Sequence, residues 1–332
     1  MLRILCLSLI VSTAAAEIPS VIAFGSCAKQ TRKQPAWERM LEQKPDLFVF
    51  TGDCVYADTH DPKALRGAFN KLDAIVGFQK VRKQAQLLAT WDDHDYGLND
   101  EGEENPAKEA AQGVFLDFLK VAEDSPRRER DGIYHVETFS EGDKTLQVIV
   151  LDTRYFRSAL KSAGKTHRYV PDADPEKTIL GEAQWKWLEE TLQKPADVRI
   201  ITSSIQVIPE KHPFEKWANL PLEKQRLFDL IKSTKANGVI LISGDRHMSE
   251  ISEDTKAIGY PLIEVTSSGL TQAGGGTKEE NEHRVGSIYR KRNYGVITID
   301  WAAEDPLIGL GIRDAVNGEM MVEHSVKLSE LK

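Results

Sequence analysis

The chain has 332 residues, of which 41% are hydrophobic and 28% are charged. This composition is typical of a folded globular protein and excludes a fibrous or intrinsically disordered chain. The 43 Lys and Arg residues are outnumbered by 51 Asp and Glu residues, which gives a net charge of −8. Such an acidic balance argues against a broad nucleic-acid-binding or anionic-membrane-binding surface, because both would require a basic face.

The first sixteen residues have the three-part pattern of a secretory signal. Arg3 provides a positive charge, residues 4–11 form an apolar run, and Ala14-Ala15-Ala16 follows. The pattern predicts cleavage between Ala16 and Glu17, which would leave residues 17–332 as a periplasmic or secreted protein. A buried N-terminal strand or helix is the alternative. The apolar run is too short to span a bilayer, and we expect no membrane span in the mature protein.

Apolar, β-branched runs predict buried strands over residues 21–24, 47–50, 147–151, 200–202 and 239–242. Helical periodicity predicts helices over residues 35–43, 106–121, 182–192 and 222–235. Four further strand-like runs follow at residues 258–266, 294–301, 307–313 and 320–327, as in an antiparallel meander. The order of these elements predicts an α/β fold in which two stacked mixed β-sheets are flanked by helices, within one domain.

Polar side chains follow the predicted strands at the points where the strands end. The segments concerned are residues 25–27, 51–56, 90–95, which follow the apolar run Leu87-Leu88-Ala89, 152–154 and 243–247. In open α/β sheets, ligands bind beyond the carboxyl ends of the strands. An Asp after a Gly is more often a turn residue or a helix cap than a ligand, but five such segments in succession are difficult to explain as caps.

If these strands lie side by side, one sheet edge collects many potential metal ligands. They are Cys27, Asp53, Tyr56, Asp92, Asp93, His94, Asp95, Asp245 and His247. So many carboxylates in one cleft would repel one another unless cations neutralised them, which predicts a metal site. The mixture of donors suits a transition metal beside an ion that prefers oxygen. Two metals about 3.5–4 Å apart could clamp a phosphoryl group and activate water for in-line attack.

Six motifs occur in order along this part of the chain. They are Gly25-Ser26-Cys27, Gly52-Asp53-x-x-Tyr56, Trp91-Asp92-Asp93-His94-Asp95, Leu151-Asp152-Thr153-Arg154, Leu180-Gly181-x-x-Gln184-x-x-Trp187-Leu188 and Ser243-Gly244-Asp245-x-His247. They resemble the motifs of the PhoD-type alkaline phosphatase/phosphodiesterase family, in the calcineurin-like metallophosphoesterase superfamily. The resemblance implies a four-layer αββα sandwich at residues 17–332. It also implies an extracytoplasmic hydrolase of phosphate mono- or diesters, with small-molecule or polymeric esters as substrates.

The resemblance implies two metal ions, Fe³⁺ and Ca²⁺. The ferric ligands would be Cys27, Asp53 and Tyr56. Asp53 would also reach a calcium site that is completed by Asp93 and Asp245. His247 occupies the position of a late histidine ligand of the superfamily, although a supporting role outside the ligand set is an equally simple interpretation.

The resemblance also implies catalytic and substrate-binding residues. His94 would be the general acid or would stabilise the transition state. Arg154 would bind the substrate phosphate with assistance from Arg157, because a guanidinium fork matches pairs of phosphate oxygens. Asp152 could bind metal, but orienting Arg154 or capping the strand end is favoured. The alternative function is a non-catalytic module that binds phosphate or metal on the same fold.

Two other features allow more than one interpretation. Cys27 and Cys54 could form a disulfide, since the predicted compartment is oxidising. If Cys27 instead binds metal, Cys54 is either a small buried residue or a group that supports the ligands from behind. The segment 269–293 is either a solvated loop or a mobile rim that contacts the non-reacting part of a phosphodiester.

Overall fold

The computed structural model describes residues 17–274 and 279–332, so the predicted secretory segment lies outside the described residues. The strands are β1 (Val21–Gly25), β2 (Leu47–Thr51), β3 (Gln86–Thr90), β4 (His135–Glu141), β5 (Lys144–Val150), β6 (Val198–Thr202), β7 (Val239–Ser243), β8 (Ser249–Asp254), β9 (Leu262–Ser267), β10 (Arg284–Tyr289), β11 (Asn293–Ile299), β12 (Leu307–Asp314) and β13 (Met320–Lys327). The helices are α1 (Ala36–Glu42), α2 (Pro62–Asp73), α3 (Val76–Gln84), α4 (Asp93–Tyr96), α5 (Lys108–Phe118), α6 (Gly181–Leu192) and α7 (Pro221–Ser233). None of the helices in these ranges is long and apolar enough to cross a membrane.

The strands form two mixed sheets. One has the order β13-β12-β11-β1-β2-β3, and the other has the order β10-β8-β9-β7-β6-β5-β4. Strands β1, β2 and β3 are parallel to one another, and so are β5, β6, β7 and β9. Each sheet therefore gathers several carboxyl strand ends at one edge, which is where the polar motifs of the sequence begin.

The period-two alternation of β1 and β2 separates the two cores of the molecule. Ile22 and Val49 belong to the core between the sheets, which also contains the apolar residues of β5, β6 and β7. Ala23 and Phe48 point to the other face and pack against helices α1, α2, α3 and α5. Helices α6 and α7 pack on the second sheet through residues such as Leu188. These layers confirm the predicted sandwich of two mixed sheets flanked by helices.

Several elements differ from the sequence prediction. The run at 258–266 was expected to begin an antiparallel meander, but β9 pairs in parallel with β7 in the other sheet, and only β11, β12 and β13 form the meander. The segment 269–293 contains strand β10, so it is not simply a loop. A register shift between Val285 and Tyr289 and a left-handed Gly286 (φ 70°) interrupt the strand pattern of β10. Strands β4 and β8 and helices α2 and α3 were not predicted.

Candidate functional site

The carboxyl ends of both sheets meet at one cleft. Ser204, after β6, donates to Asp92, after β3, over 2.6 Å between Oγ and Oδ1. A Cβ atom on Gly244, after β7, would lie 2.3 Å from the carbonyl oxygen of Thr51 in β2. The backbone segments that carry the predicted ligands therefore touch, and position 244 requires glycine because no side chain fits there.

Four of the six predicted metal ligands have an unusual backbone conformation. Cys27, Asp53, Asp245 and His247 have φ values of 62°, 47°, 65° and 53°. Left-handed φ values are uncommon for residues other than glycine, and such strain is concentrated at active sites and ligand clamps. The strand-end loops are thus held in conformations that are unfavourable in isolation, as expected where several donors must converge on one point.

The first donor cluster contains Cys27, Asp53 and His247, whose ligand atoms all lie within 4.8 Å of one another. The Cys27 Sγ is 3.3 Å from Oδ2 of Asp53, and the Tyr56 hydroxyl is 2.9 Å from Nε2 of His247. Burial raises the pKa of the Cys27 thiol to about 11 and that of the Tyr56 hydroxyl well above its usual range. A cation would be required to hold these groups in their anionic forms.

The second donor cluster contains Asp53, Asp93 and His94, again within 4.8 Å. Asp53 thus belongs to both clusters, and its Oδ1 is buried without a hydrogen-bond partner among the described residues. Burial, reinforced by the Cys27 thiol, raises the pKa of Asp53 well above its usual range. Asp245 is outside this cluster but lines the same cleft, where burial raises its pKa to about 7. The Asp53 carboxylate is buried, has an oxygen without a partner in the described part of the chain and belongs to both donor clusters. These properties fit a ligand that is shared by two ions, one in each cluster.

His94 has a partner that the sequence analysis missed. Its Nδ1 is 2.5 Å from Oδ1 of Asp58, and its ring stacks on Tyr56 at 4.2 Å between centroids. Burial alone would lower the pKa of His94, but Asp53, Asp93 and Asp58 outweigh it and raise the pKa to about 11. The contact with Asp58 leaves Nε2 as the imidazole nitrogen available to a substrate. The sequence signal was the position of Asp58, two residues after Tyr56.

Arg154 and Arg157 are buried, with exposed fractions of 0% and 1%. The Arg154 Nε lies 2.6 Å from Oδ1 of Asp92, and its Nη2 lies 2.6 Å from Oε2 of Glu215. Arg157 reaches the other oxygen of Glu215 at 3.3 Å and donates to the carbonyl oxygen of Ser158. The structure does not bring either guanidinium to the cleft surface, so their contact with phosphate stays a prediction. Glu215 was missed because it follows no predicted strand.

The carboxylates of Asp95 and Asp152 accept hydrogen bonds, mainly from backbone amides. Asp95 accepts hydrogen bonds from the amides of Asp92 and Cys54, at 2.6 and 2.7 Å. Asp152 accepts from the amide of Arg154 at 3.0 Å and from the indole of Trp91 at 2.8 Å. The interpretation of Asp152 as a cap of the strand end is therefore confirmed, whereas the Arg154 side chain is held by Asp92 and Glu215. Neither Asp92 nor Asp95 belongs to a donor cluster of the described residues, and both have buried structural partners, so a metal-facing role for them stays a prediction.

Cys27 and Cys54 are both buried free thiols, so the alternative of a disulfide between them is wrong. The Cys54 Sγ donates to the carbonyl oxygen of Thr90 at 3.7 Å. It therefore points into the strand packing, whereas the Cys27 Sγ faces Asp53 and the Ser268 hydroxyl, the latter at 3.0 Å. The two side chains point to different environments even though they follow neighbouring strands.

A cavity of about 370 Å³ opens beside the donor clusters. Asp93, His94, Asp245 and His247 line one part of its wall. The rest of the lining includes Arg168, Phe214, Arg246, Arg290 and Glu279. Arg290 and Glu279 belong to the segment 269–293 considered above, whereas the other three were not selected by the sequence analysis. Arg246 lies inside the motif Ser243-Gly244-Asp245-x-His247 and was recognisable by position. Arg168 and Phe214 lie on loops without a local signal.

The PhoD-like phosphatase family model matches residues 22–296. Among curated proteins, alkaline phosphatase D of Bacillus subtilis (strain 168) is 23% identical in an alignment of 276 residues that covers 70% of this chain and 47% of that protein. The chain therefore spans about half the length of this relative.

Similar folds occur among solved structures. One described as the structure of PhoD has a TM-score of 0.77 at 19% identity, covering 96% of this chain and 72% of the other. Purple acid phosphatase PPD1 from yellow lupin has a TM-score of 0.65 at 10% identity, covering 94% and 54%. GAP50, described as the anchor in the inner membrane complex of Plasmodium, has a TM-score of 0.61 at 13% identity, covering 93% and 89%. The family model covers the chain from β1 to β11 and includes every residue of the candidate site, and this protein belongs to the PhoD-like phosphatase family.

Proposed function

We propose that this protein is a metal-dependent hydrolase of phosphate mono- or diesters, of the alkaline phosphatase D type. The observation that carries the proposal is the pair of donor clusters that share Asp53, at the edge of a cavity large enough for a small ester. The pattern at residues 1–16 supports action outside the cytoplasm, in the periplasm or after secretion. Residues 17–332 would be the catalytic domain.

The donor chemistry supports two different ions. Cys27 and Tyr56 offer a thiolate and a phenolate, which suit Fe³⁺, and Asp53 and His247 would complete that set. Asp53, Asp93 and Asp245 offer the carboxylate oxygens that Ca²⁺ prefers. When bound, such ions polarise phosphoryl oxygens and lower the pKa of water, so that a nucleophile is available near neutral pH.

The protein's own groups would supply the remaining chemistry. His94, whose Nδ1 contacts Asp58, would give a proton from Nε2 to the leaving oxygen. Arg154 acts from behind the cleft, where its Nη2 is 4.0 Å from Oδ1 of Asp93. Burial would raise the pKa of Asp93, but Arg154 and His94 outweigh burial and lower it. Asp93 is therefore kept ionised, as a carboxylate ligand must be.

The direct test is hydrolysis of p-nitrophenyl phosphate and bis-p-nitrophenyl phosphate by mature protein supplied with iron and calcium. We expect release of p-nitrophenol from at least one ester, loss of that activity after dialysis against a chelator, and recovery when the metals are returned. The ratio of the two rates separates a monoesterase from a diesterase. A metal-loaded protein that hydrolyses neither ester would contradict the proposal and favour the non-catalytic binding module.

Replacing Asp58 with Asn should lower kcat by roughly tenfold to a hundredfold with little change in KM, because His94 loses the carboxylate that orients it. Steady-state kinetics on the preferred ester would measure this effect. Asp61→Asn is the matched control: Asp61 caps helix α2 through the Lys63 amide, and Asn is an equally good N-cap. Equal kcat values for the two variants would show that Asp58 does not position His94.

A further inference from the structure

Part of the cavity wall has no role in the proposed chemistry. Arg168, Phe214 and Arg246 line the same cavity as Asp93 and His94. They are not in the donor clusters, and they would face the part of an ester that is not cleaved. An inference about them rests on the proposed function and concerns the kind of substrate that the site selects.

The aromatic ring of Phe214 contacts the guanidinium groups of two arginines. The guanidinium carbon of Arg168 lies 4.0 Å from the ring centroid, and that of Arg246 lies 4.2 Å from it. Such cation–π contacts fix the position of the planar guanidinium groups within the wall. Phe214 is adjacent to Glu215, which is held by buried Arg154 at 2.6 Å. The aromatic support is therefore anchored to the buried network behind the cleft.

The two arginines differ in whether a carboxylate neutralises the guanidinium charge. Arg246 donates to Glu279 over 2.8 Å, and its side chain is only 6% exposed. Arg168 is half-buried, and its guanidinium donates to the carbonyl oxygen of His167 at 2.9 Å. Within residues 17–274 and 279–332, no carboxylate pairs with Arg168. Its positive charge at the cavity wall is thus available to an anion.

The loop that carries Arg168 is already ordered. The carbonyl oxygen of Arg168 accepts from the Ala163 amide at 2.8 Å, and the Tyr169 amide donates to Pro213 at 2.8 Å. The Tyr169 hydroxyl also donates to Oδ2 of Asp100 at 2.7 Å. A cation held in place before binding loses little conformational freedom when a ligand arrives, which increases its contribution to affinity.

We propose that Arg168 binds a second anionic group of the substrate, a phosphate or carboxylate on the part of the ester that is not cleaved. The reacting phosphoryl group belongs at the donor clusters, and Arg154 and Arg157 are buried and paired. Arg168 then offers a guanidinium fork to a second anion within the same cavity, and an anionic oxygen pair is the ligand that such a fork binds best. The preferred substrates are phosphate esters with at least two anionic groups.

Binding of phosphonates tests this proposal without requiring turnover. The ligands are phenylphosphonate, para-carboxyphenylphosphonate and para-phenylenebisphosphonate, titrated calorimetrically into the protein loaded with iron and calcium. We expect at least one doubly anionic ligand to bind about tenfold more tightly than phenylphosphonate, as for one charge-assisted contact. The better of the two identifies the second anion as carboxylate or phosphate.

The variants Arg168→Gln and Arg168→Lys assign this preference to a residue. Arg168→Gln should reduce the ratio of affinities to about one, and Arg168→Lys should restore part of it. Arg66→Gln is the control, because Arg66 pairs with Asp117 away from the cavity and should keep the wild-type ratio. Equal affinities in the wild type, or a ratio that Arg168→Gln does not change, would overturn the proposal. If the ratio depends on Arg168 but no ester is hydrolysed, the subsite stands and only the proposed hydrolysis fails.

Discussion

Replacing Asp53 with Asn should abolish ester hydrolysis, with kcat/KM lowered at least about a hundredfold. Asp53 is the only residue present in both the cluster with Cys27 and the cluster with His94, among the described residues. Asparagine has nearly the same shape but no charge, and its amide nitrogen cannot act as a ligand. The substitution should therefore weaken both metal sites together, and metal analysis of the purified variant should show loss of bound ions.

The same substitution should not destabilise the metal-free protein. Burial and the nearby thiol and carboxylates disfavour an ionised Asp53, so a neutral Asn should not lower the melting temperature of the metal-free form. Added calcium should raise the melting temperature of the wild type but not of Asp53→Asn, because calcium stabilises the folded state only of a protein that binds it. Asp73→Asn, at the end of helix α2 beside Arg82, is the control. A variant that retained both activity and the calcium-dependent shift would show that Asp53 is not a ligand.

The parts of the site that the sequence predicted are those with a local signal. Cys27, Asp53 and Asp245 each follow a fully or almost fully buried parallel strand, and apolar β-branched runs identify such strands directly. Strands β1 and β2 are parallel neighbours, so their carboxyl ends lie together and bring Cys27 close to Asp53. Strand β7 belongs to the other sheet, and Asp245 reaches the same cleft because the two sheets stack. The fold class follows from the same pattern, because alternating strands and helices allow few arrangements.

The parts that were missed depend on partners far apart in the chain. Asp92 and Arg154 are separated by 62 positions, and no periodicity indicates that they form a pair. Glu215 and Phe214 lie on an irregular segment, so nothing local shows that one neutralises Arg154 and the other supports Arg168. For the same reason the motif Leu151-Asp152-Thr153-Arg154 indicated the importance of Arg154 but not the direction in which its side chain points.

The buried position of Arg154 leads to a large expected effect on stability. Replacing Arg154 with Met should lower the free energy of unfolding by about 3–5 kcal/mol, because Asp92 and Glu215 would remain buried without their cation. Burial already raises the pKa of Asp92 and of Glu215 to about 7, against the opposing charge of Arg154. Urea denaturation of the wild type, Arg154→Met and the surface control Arg66→Met would measure the difference.

A triple variant separates this structural role from a direct contact with phosphate. Combining Arg154→Met with Asp92→Asn and Glu215→Gln removes all three charges, so much of the lost stability should return, because an uncharged set needs no buried cation. If Arg154 instead bound the substrate directly, Arg154→Met would be nearly as stable as the wild type and would show a raised KM. The expected order of stability is wild type, then the triple variant, then Arg154→Met. That order would place Arg154 behind the metal-facing carboxylates, where it keeps Asp93 charged and the cleft wall intact.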